Sequence, residues 1–144
     1  MLALPRGRSM GQTWVSLKHP DSEAKTGKTH SIRCAVYTDG QPSQAPDNLD
    51  DISNVLKQAG KLVWLDVERP TDDDYKLLQN EFKLHPLALE DANTPHERPK
   101  IEAFDGYYFL IVHARTATPA GIKGGEIAIF ASPNYIITIR RDAS

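Results

Sequence analysis

The chain has little of what marks the specialised protein classes. It holds one cysteine, Cys34, which excludes an internal disulfide and fits a reducing compartment. No stretch approaches the roughly 18 apolar residues that a membrane helix needs. Neither sign of charge dominates: 17 Lys and Arg against 19 Asp and Glu give a net charge of −2. That balance offers no basic stripe for nucleic acid. No CxxC, HExxH or GxSxG spacing occurs. The glycines at 121, 124 and 125 are not followed by the Lys-Ser or Lys-Thr of a phosphate-cradling loop. These absences leave no candidate catalytic residue and no candidate cofactor-binding residue, so the reading is of a protein that is not an enzyme.

What remains is one domain's worth of chain: 144 residues, 40% hydrophobic and 25% charged. Residues 1–30 are polar and basic, lack the apolar core of a signal peptide, and read as a loose, partly disordered leader. Trp14 to Leu17 offers a short edge strand as the alternative. Residues 31–144 read as the folded domain. Ser31 to Tyr37 is a strand with Ile32, Cys34 and Val36 on one face, which makes Cys34 a buried thiol. A helix is expected from Leu49 to Ala59 on the stripe Leu49, Ile52, Val55, Leu56 and Ala59, ended by Gly60. Lys61 to Val67 is an apolar strand with Trp64 in the core. Thr71 as N-cap and Asp72, Asp73 and Asp74 in the first turn start the next helix, which turns Tyr75, Leu78 and Phe82 inward. Thr116 to Gly125 reads as a mobile loop. Glu126 to Ala131 and Tyr135 to Arg140 pair as a hairpin about Ser132-Pro133-Asn134.

The informative stretch is Leu84 to Ala114, LHPLALEDANTPHERPKIEAFDGYYFLIVHA. Pro86 suits the first turn of a helix, and Pro86 to Ala92 is a helix of about two turns. Asn93-Thr94-Pro95 ends it. Lys100 to Phe104 is a strand, Asp105-Gly106 a tight turn, and Tyr107 to His113 an apolar run that fits a central strand buried on both faces. Glu90 and Asp91 lie at the helix C-terminus, where the macrodipole disfavours negative charge. They point about 100° apart, so each could serve a different hard cation with oxygens from elsewhere. The plainer reading is a solvated pair of surface acids. His85 and His96 flank them, but a linker with two prolines intervenes and no closed zinc spacing exists. His85 reads as a helix cap, Arg98-Pro99-Lys100 as the basic counterpart of the Glu90-Asp91 pair, and Arg98 as the partner of a nearby acid that fixes the linker.

Three words in this stretch carry a resemblance: His85-Pro86-Leu87-Ala88-Leu89-Glu90-Asp91, then His96-Glu97-Arg98-Pro99-Lys100-Ile101-Glu102, then Tyr107-Tyr108-Phe109-Leu110-Ile111-Val112. In this order they resemble the N-terminal cytoplasmic domain of the CorA family of divalent-metal transporters. The likeness extends more weakly over Ser31 to Arg140. It implies an α/β fold, an α/β/α sandwich-like domain with a mixed parallel and antiparallel sheet, truncated before the family's stalk helix. It also implies a pentameric magnesium and cobalt transporter at the cytoplasmic face of the inner membrane. There, divalent metal bound between neighbouring cytoplasmic domains holds the pore closed, and Asp91 and then Glu90 match the family's acids at that interface. Mg²⁺, with Co²⁺ or Zn²⁺ as alternatives, is then regulatory. The Gly-Met-Asn pore signature, both membrane helices and the stalk with its partner acids are not in this sequence. Two other readings stand beside this one: the zinc-transporting branch of the same superfamily, and a free-standing soluble α/β regulatory module.

Overall fold

A computed structural model describes residues 14–17, 31–95 and 97–141. The chain runs β1 (Val15–Ser16), β2 (Ser31–Thr38), β3 (Gln41–Ser43), a 3-10 turn (Leu49–Asp51), α1 (Ile52–Leu56), β4 (Lys61–Glu68), α2 (Asp72–Phe82), α3 (Pro86–Ala92), β5 (Lys100–Phe104), β6 (Tyr107–Thr118), β7 (Gly121–Ala131) and β8 (Tyr135–Arg140). The strands form one sheet in the order β1-β2-β4-β8-β7-β6-β5, with β3 paired to β2. Among the described strands only β4 and β8 run parallel; the other pairs are antiparallel. This is the mixed sheet expected of the fold class.

Register explains the core. Cys34, Leu65, Ile137, Phe130 and Phe109 lie in one row across five strands, and each is fully buried. Because side chains alternate along a strand, the row and its i±2 neighbours form one apolar face. On it pack Ile52 of α1, Tyr75, Leu78 and Phe82 of α2, and Ala88, Leu89 and Ala92 of α3. Burial of this kind contributes about 1.5–3 kcal/mol per large apolar side chain before entropy is counted. Within this core Cys34 has its thiol pKa pushed up to about 12 by burial, as befits the inert thiol expected there.

The opposite face differs at its two ends. Across β5, β6 and β7 it presents Ile101, Leu110 and Ile129 in one row, and Ile101 and Tyr108 are 65% and 56% exposed. The run from Tyr107 is therefore not central but one strand in from the sheet edge, and it is buried on one face only, since the described helices all lie on that face. Across β2, β4 and β8 the same face carries a polar hub. Asp66, 6% exposed, accepts from Arg33 at 2.6 Å, Thr138 at 2.8 Å and Arg140 at 2.8 Å. Burial alone would favour the neutral acid, but these hydrogen bonds outweigh it and hold the carboxyl below its ordinary range. Trp64 belongs to this hub and not to the main core. Its Nε1 donates to Thr138 Oγ1 at 3.2 Å, and its ring meets Trp14 edge-on at 4.9 Å.

Several local expectations change. The helix expected to Ala59 stops at Leu56, because Thr38 pairs with Lys61 and Asp39 N–H donates to Gly60 O at 2.9 Å. That pairing pulls 57–60 into a turn, with Gly60 at φ +75°. Gln41–Ser43 folds back on β2 through Asp39-Gly40, both at positive φ as a two-residue hairpin demands. Thr116 to Gly125 is not a loop: β6 and β7 pair continuously from Tyr108↔Ala131 to Thr118↔Gly121. The edge strand considered at Trp14 to Leu17 forms at Val15–Ser16, against Cys34 and Arg33. Residues 1–13 and 18–30 lie outside the described ones. Among the described residues no helix is long and apolar enough to cross a membrane.

Candidate functional site: the end of the short acidic helix and its facing strand

Pro86–Ala92 is the expected helix. His85 caps it, its Nδ1 accepting from Leu87 N–H at 3.1 Å. The His85 N–H donates to Tyr107 Oη at 2.8 Å, which ties the helix start to β6. Phe104 stacks on Tyr107 at 5.3 Å and lies beside the His85 ring. At the other end the carbonyls are closed locally. Asn93 N–H donates to Leu89 O and Glu90 O, and Thr94 Oγ1 donates to Glu90 O at 2.7 Å. With Ala88, Leu89 and Ala92 turned to the core, Glu90 faces outward and Asp91 is half-buried, turned to the sheet.

The sheet supplies the basic partner. The two-residue turn Asp105-Gly106 sets Phe104 opposite Tyr107, hence Glu102 opposite Phe109 and Lys100 opposite Ile111. Phe109 and Ile111 are core residues, so Lys100 and Glu102 point to the helix side and Ile101 points away. Lys100 Nζ then donates to Asp91 Oδ2 at 2.7 Å and lies 2.7 Å from Glu102 Oε1. The same ammonium is 5.9 Å from the centre of the Phe109 ring. The hydrogen bonds to Asp91 and Glu102 hold the Lys100 ammonium above the ordinary lysine range. Side-chain exposures of 27% for Lys100 and 33% for Asp91 leave the pair reachable from solvent.

The cation that answers the acidic helix end is therefore Lys100, and Arg98 is exposed. Of the basic segment Arg98-Pro99-Lys100 it is Lys100 that meets the acidic helix end, and Glu102 is the residue that the sequence alone does not single out. The Asp105-Gly106 turn was the signal that could have set the register. Glu90 and Asp91 do not converge, as their helical spacing requires. His96 lies outside the described residues. Asp72, Asp73 and Asp74 start a helix as expected: Thr71 Oγ1 accepts from Asp74 N–H at 3.2 Å, and Asp74 Oδ2 accepts from Thr71 N–H at 2.7 Å.

Among the described residues no group of three or more His, Cys, Asp or Glu is placed to hold a metal ion. Asp91 offers a single carboxylate there, 33% exposed. Its carboxylate already holds a cationic nitrogen at hydrogen-bond distance, at a place open to solvent. Carboxylate oxygen is the donor that Mg²⁺ takes, with water or other chains completing the shell. Beyond the linker, His113 Nε2 lies 2.9 Å from Glu97 O, and Arg141 pairs with Glu126 at 2.8 Å. These contacts border an open cleft of about 270 Å³ lined also by Pro95 and Arg115.

A mixed sheet with the described helices on one face and an acidic helix end against its edge defines the class as an α/β domain of one sheet and one helical layer. The family model described as "CorA-like Mg2+ transporter protein" matches residues 59–144. The chain belongs to that family. It is 35% identical over 75 residues to YfjQ of Bacillus subtilis, named for metal ion transport, across 52% of this chain and 23% of that one. It is 32% identical over 65 residues to the cobalt/magnesium transport protein CorA of Thermotoga maritima, across 43% of this chain and 18% of that one. The matches thus span about a quarter or less of these relatives' length. In fold it is similar to the soluble domain of CorA from Methanocaldococcus jannaschii, with a TM-score of 0.54 at 20% identity, covering 76% of this chain and 41% of that one.

Proposed function

We propose that this domain is the cytoplasmic metal-sensing part of a CorA-type magnesium and cobalt transporter, with Asp91 first and Glu90 next as the carboxylate ligands, each toward its own cation. The observation that carries this reading is the position of Asp91: half-buried at the helix end, open to solvent, with its carboxylate 2.7 Å from the Lys100 ammonium. The named activities of the relatives support the ion class, and the ordered words around Glu90 and Asp91 support the site. In this reading Mg²⁺ or Co²⁺ regulates and is not consumed. The cation bridges Asp91 to acids of a neighbouring subunit in a pentamer at the cytoplasmic face of the membrane. Bound, it offsets the repulsion between facing carboxylates; its departure leaves them uncompensated and loosens the interface. That gives the switch its sign: metal closes, loss of metal opens. The role needs no catalysis.

Sedimentation velocity with and without MgCl₂ or CoCl₂ tests this. Metal-dependent association in the wild type that is lost in Asp91→Ala supports the reading. A monodisperse monomer indifferent to both metals favours a free-standing α/β module. Association with ZnCl₂ but not MgCl₂ favours the zinc branch. Asp91→Ala that associates like wild type removes Asp91 from the site.

A further inference from the structure

Lys100 is an odd residue to place on the inner side of β5. Its neighbours on that face are Phe104 on its own strand and Phe109 and Ile111 on the next, and a lysine there must find a counter-charge. It finds two, Asp91 on α3 and Glu102 on its own strand, both at 2.7 Å. The Asp91 carboxylate that the proposed function assigns to a divalent ion is thus already engaged by the chain's own ammonium.

We propose that Lys100 is an internal competitor for the cation site at Asp91, so that a divalent ion binds there only by displacing the Lys100 ammonium, which remains held by Glu102. The inference rests on the reading of Asp91 as a metal ligand and adds its regulation. Glu102 is the resting post of the displaced ammonium. It keeps the charge close by, so the exchange reverses when metal falls. The Lys100 stem is anchored in strand β5, and its head lies near the Phe109 ring. The displacement therefore asks only for side-chain rotation, while the β5–β6 ladder stays in place. An ammonium at contact distance also repels an incoming divalent ion. The site is then set to a higher threshold concentration than a bare carboxylate pair would show. Two charges of like sign about 4 Å apart repel measurably even when well solvated, and removing that repulsion is worth about tenfold or more in binding.

Isothermal titration of MgCl₂ into the whole chain, at fixed low ionic strength and neutral pH, reads the effect. Four proteins are compared: wild type, Lys100→Met, Lys100→Arg and the double variant Lys100→Met/Asp91→Asn. Met keeps the aliphatic stem over Phe109, and circular dichroism confirms that each variant is folded. The proposal expects Lys100→Met to bind Mg²⁺ about tenfold or more tightly than wild type. It expects Lys100→Arg, which keeps the charge, to stay within about threefold, and the double variant to lose the gain. Binding by wild type with Lys100→Met within twofold of it overturns the competitor role and leaves Asp91 as a ligand. A gain that survives in the double variant overturns the assignment to Asp91. Absence of Mg²⁺ binding in both wild type and Lys100→Met overturns the competitor together with the site on which it rests.

Discussion

Replacing Asp66 by Asn removes one charge from the most connected polar group on the outer sheet face while keeping its shape. In the wild type the carboxylate takes donors from Arg33, Thr138 and Arg140 at 2.6–2.8 Å. Charge-assisted hydrogen bonds contribute about 1.5–3 kcal/mol each where both partners are buried. Here the guanidiniums are partly exposed, Arg33 to 40% and Arg140 to 26%, so both regain water when the anion is lost and the exposed part of each pair counts for little. The Asn amide keeps one acceptor for Thr138. The net loss is about 2 kcal/mol at pH 7, which lowers a urea midpoint by about 1 M. Trp64 and Trp14 border the hub and report unfolding by fluorescence. The pH dependence has a definite sign. The folded-state pKa of Asp66 lies below its ordinary value, so its contribution is present above about pH 4 and is lost as pH falls from there through the folded-state value. Wild type and Asp66→Asn should therefore differ at pH 7 and converge under acid. A variant within about 0.5 kcal/mol of wild type at pH 7, or a gap that persists to low pH, refutes the hub as a source of stability.

Other expectations follow from single observations. Phe109→Ala, at the centre of the aromatic cluster with Phe104 and Phe130, should cost about 3–5 kcal/mol by urea denaturation. Thr71→Ala removes one half of the capping box of α2 and should cost about 1 kcal/mol in the same assay. Ile101→Thr and Tyr108→Thr change exposed residues of the open face and should each stay within about 0.5 kcal/mol of wild type. The Cys34 thiol, fully buried and with its pKa raised to about 12, should react with an aromatic disulfide reagent at pH 8 only at the rate of unfolding.

How far the fold could be read ahead depended on what each local signal specified. Pro86 and the Asn93-Thr94-Pro95 stop bound α3 because proline acts through its own ring, whatever surrounds it. The Asp105-Gly106 turn and the alternation of Ile32, Cys34 and Val36 were legible for the same local reason. The β6–β7 hairpin was missed because Gly124 and Gly125 look like loop residues. Cross-strand pairing holds them in the ladder regardless, opposite Arg115 and Ala114. Burial of β6 on both faces was inferred from an unbroken apolar run. Tyr108, Leu110 and Val112 alone cannot say whether anything lies over them. Asp91 and Glu90 were legible as an odd pair at a helix end. The basic segment Arg98-Pro99-Lys100 was legible as their counterpart, but that Lys100 and not Arg98 would answer Asp91 depended on a strand register nine residues away.

The central claim is that a divalent cation binds at Asp91. Substoichiometric CoCl₂ added to ¹⁵N-labelled protein tests it directly, because paramagnetic broadening marks the residues nearest the ion. Selective loss of the amide signals of Glu90 to Asn93 and of Lys100 to Glu102, restored by a chelator and absent in Asp91→Asn, is the predicted result. Broadening centred on His85 or His113, or no broadening near Asp91 at all, would contradict it.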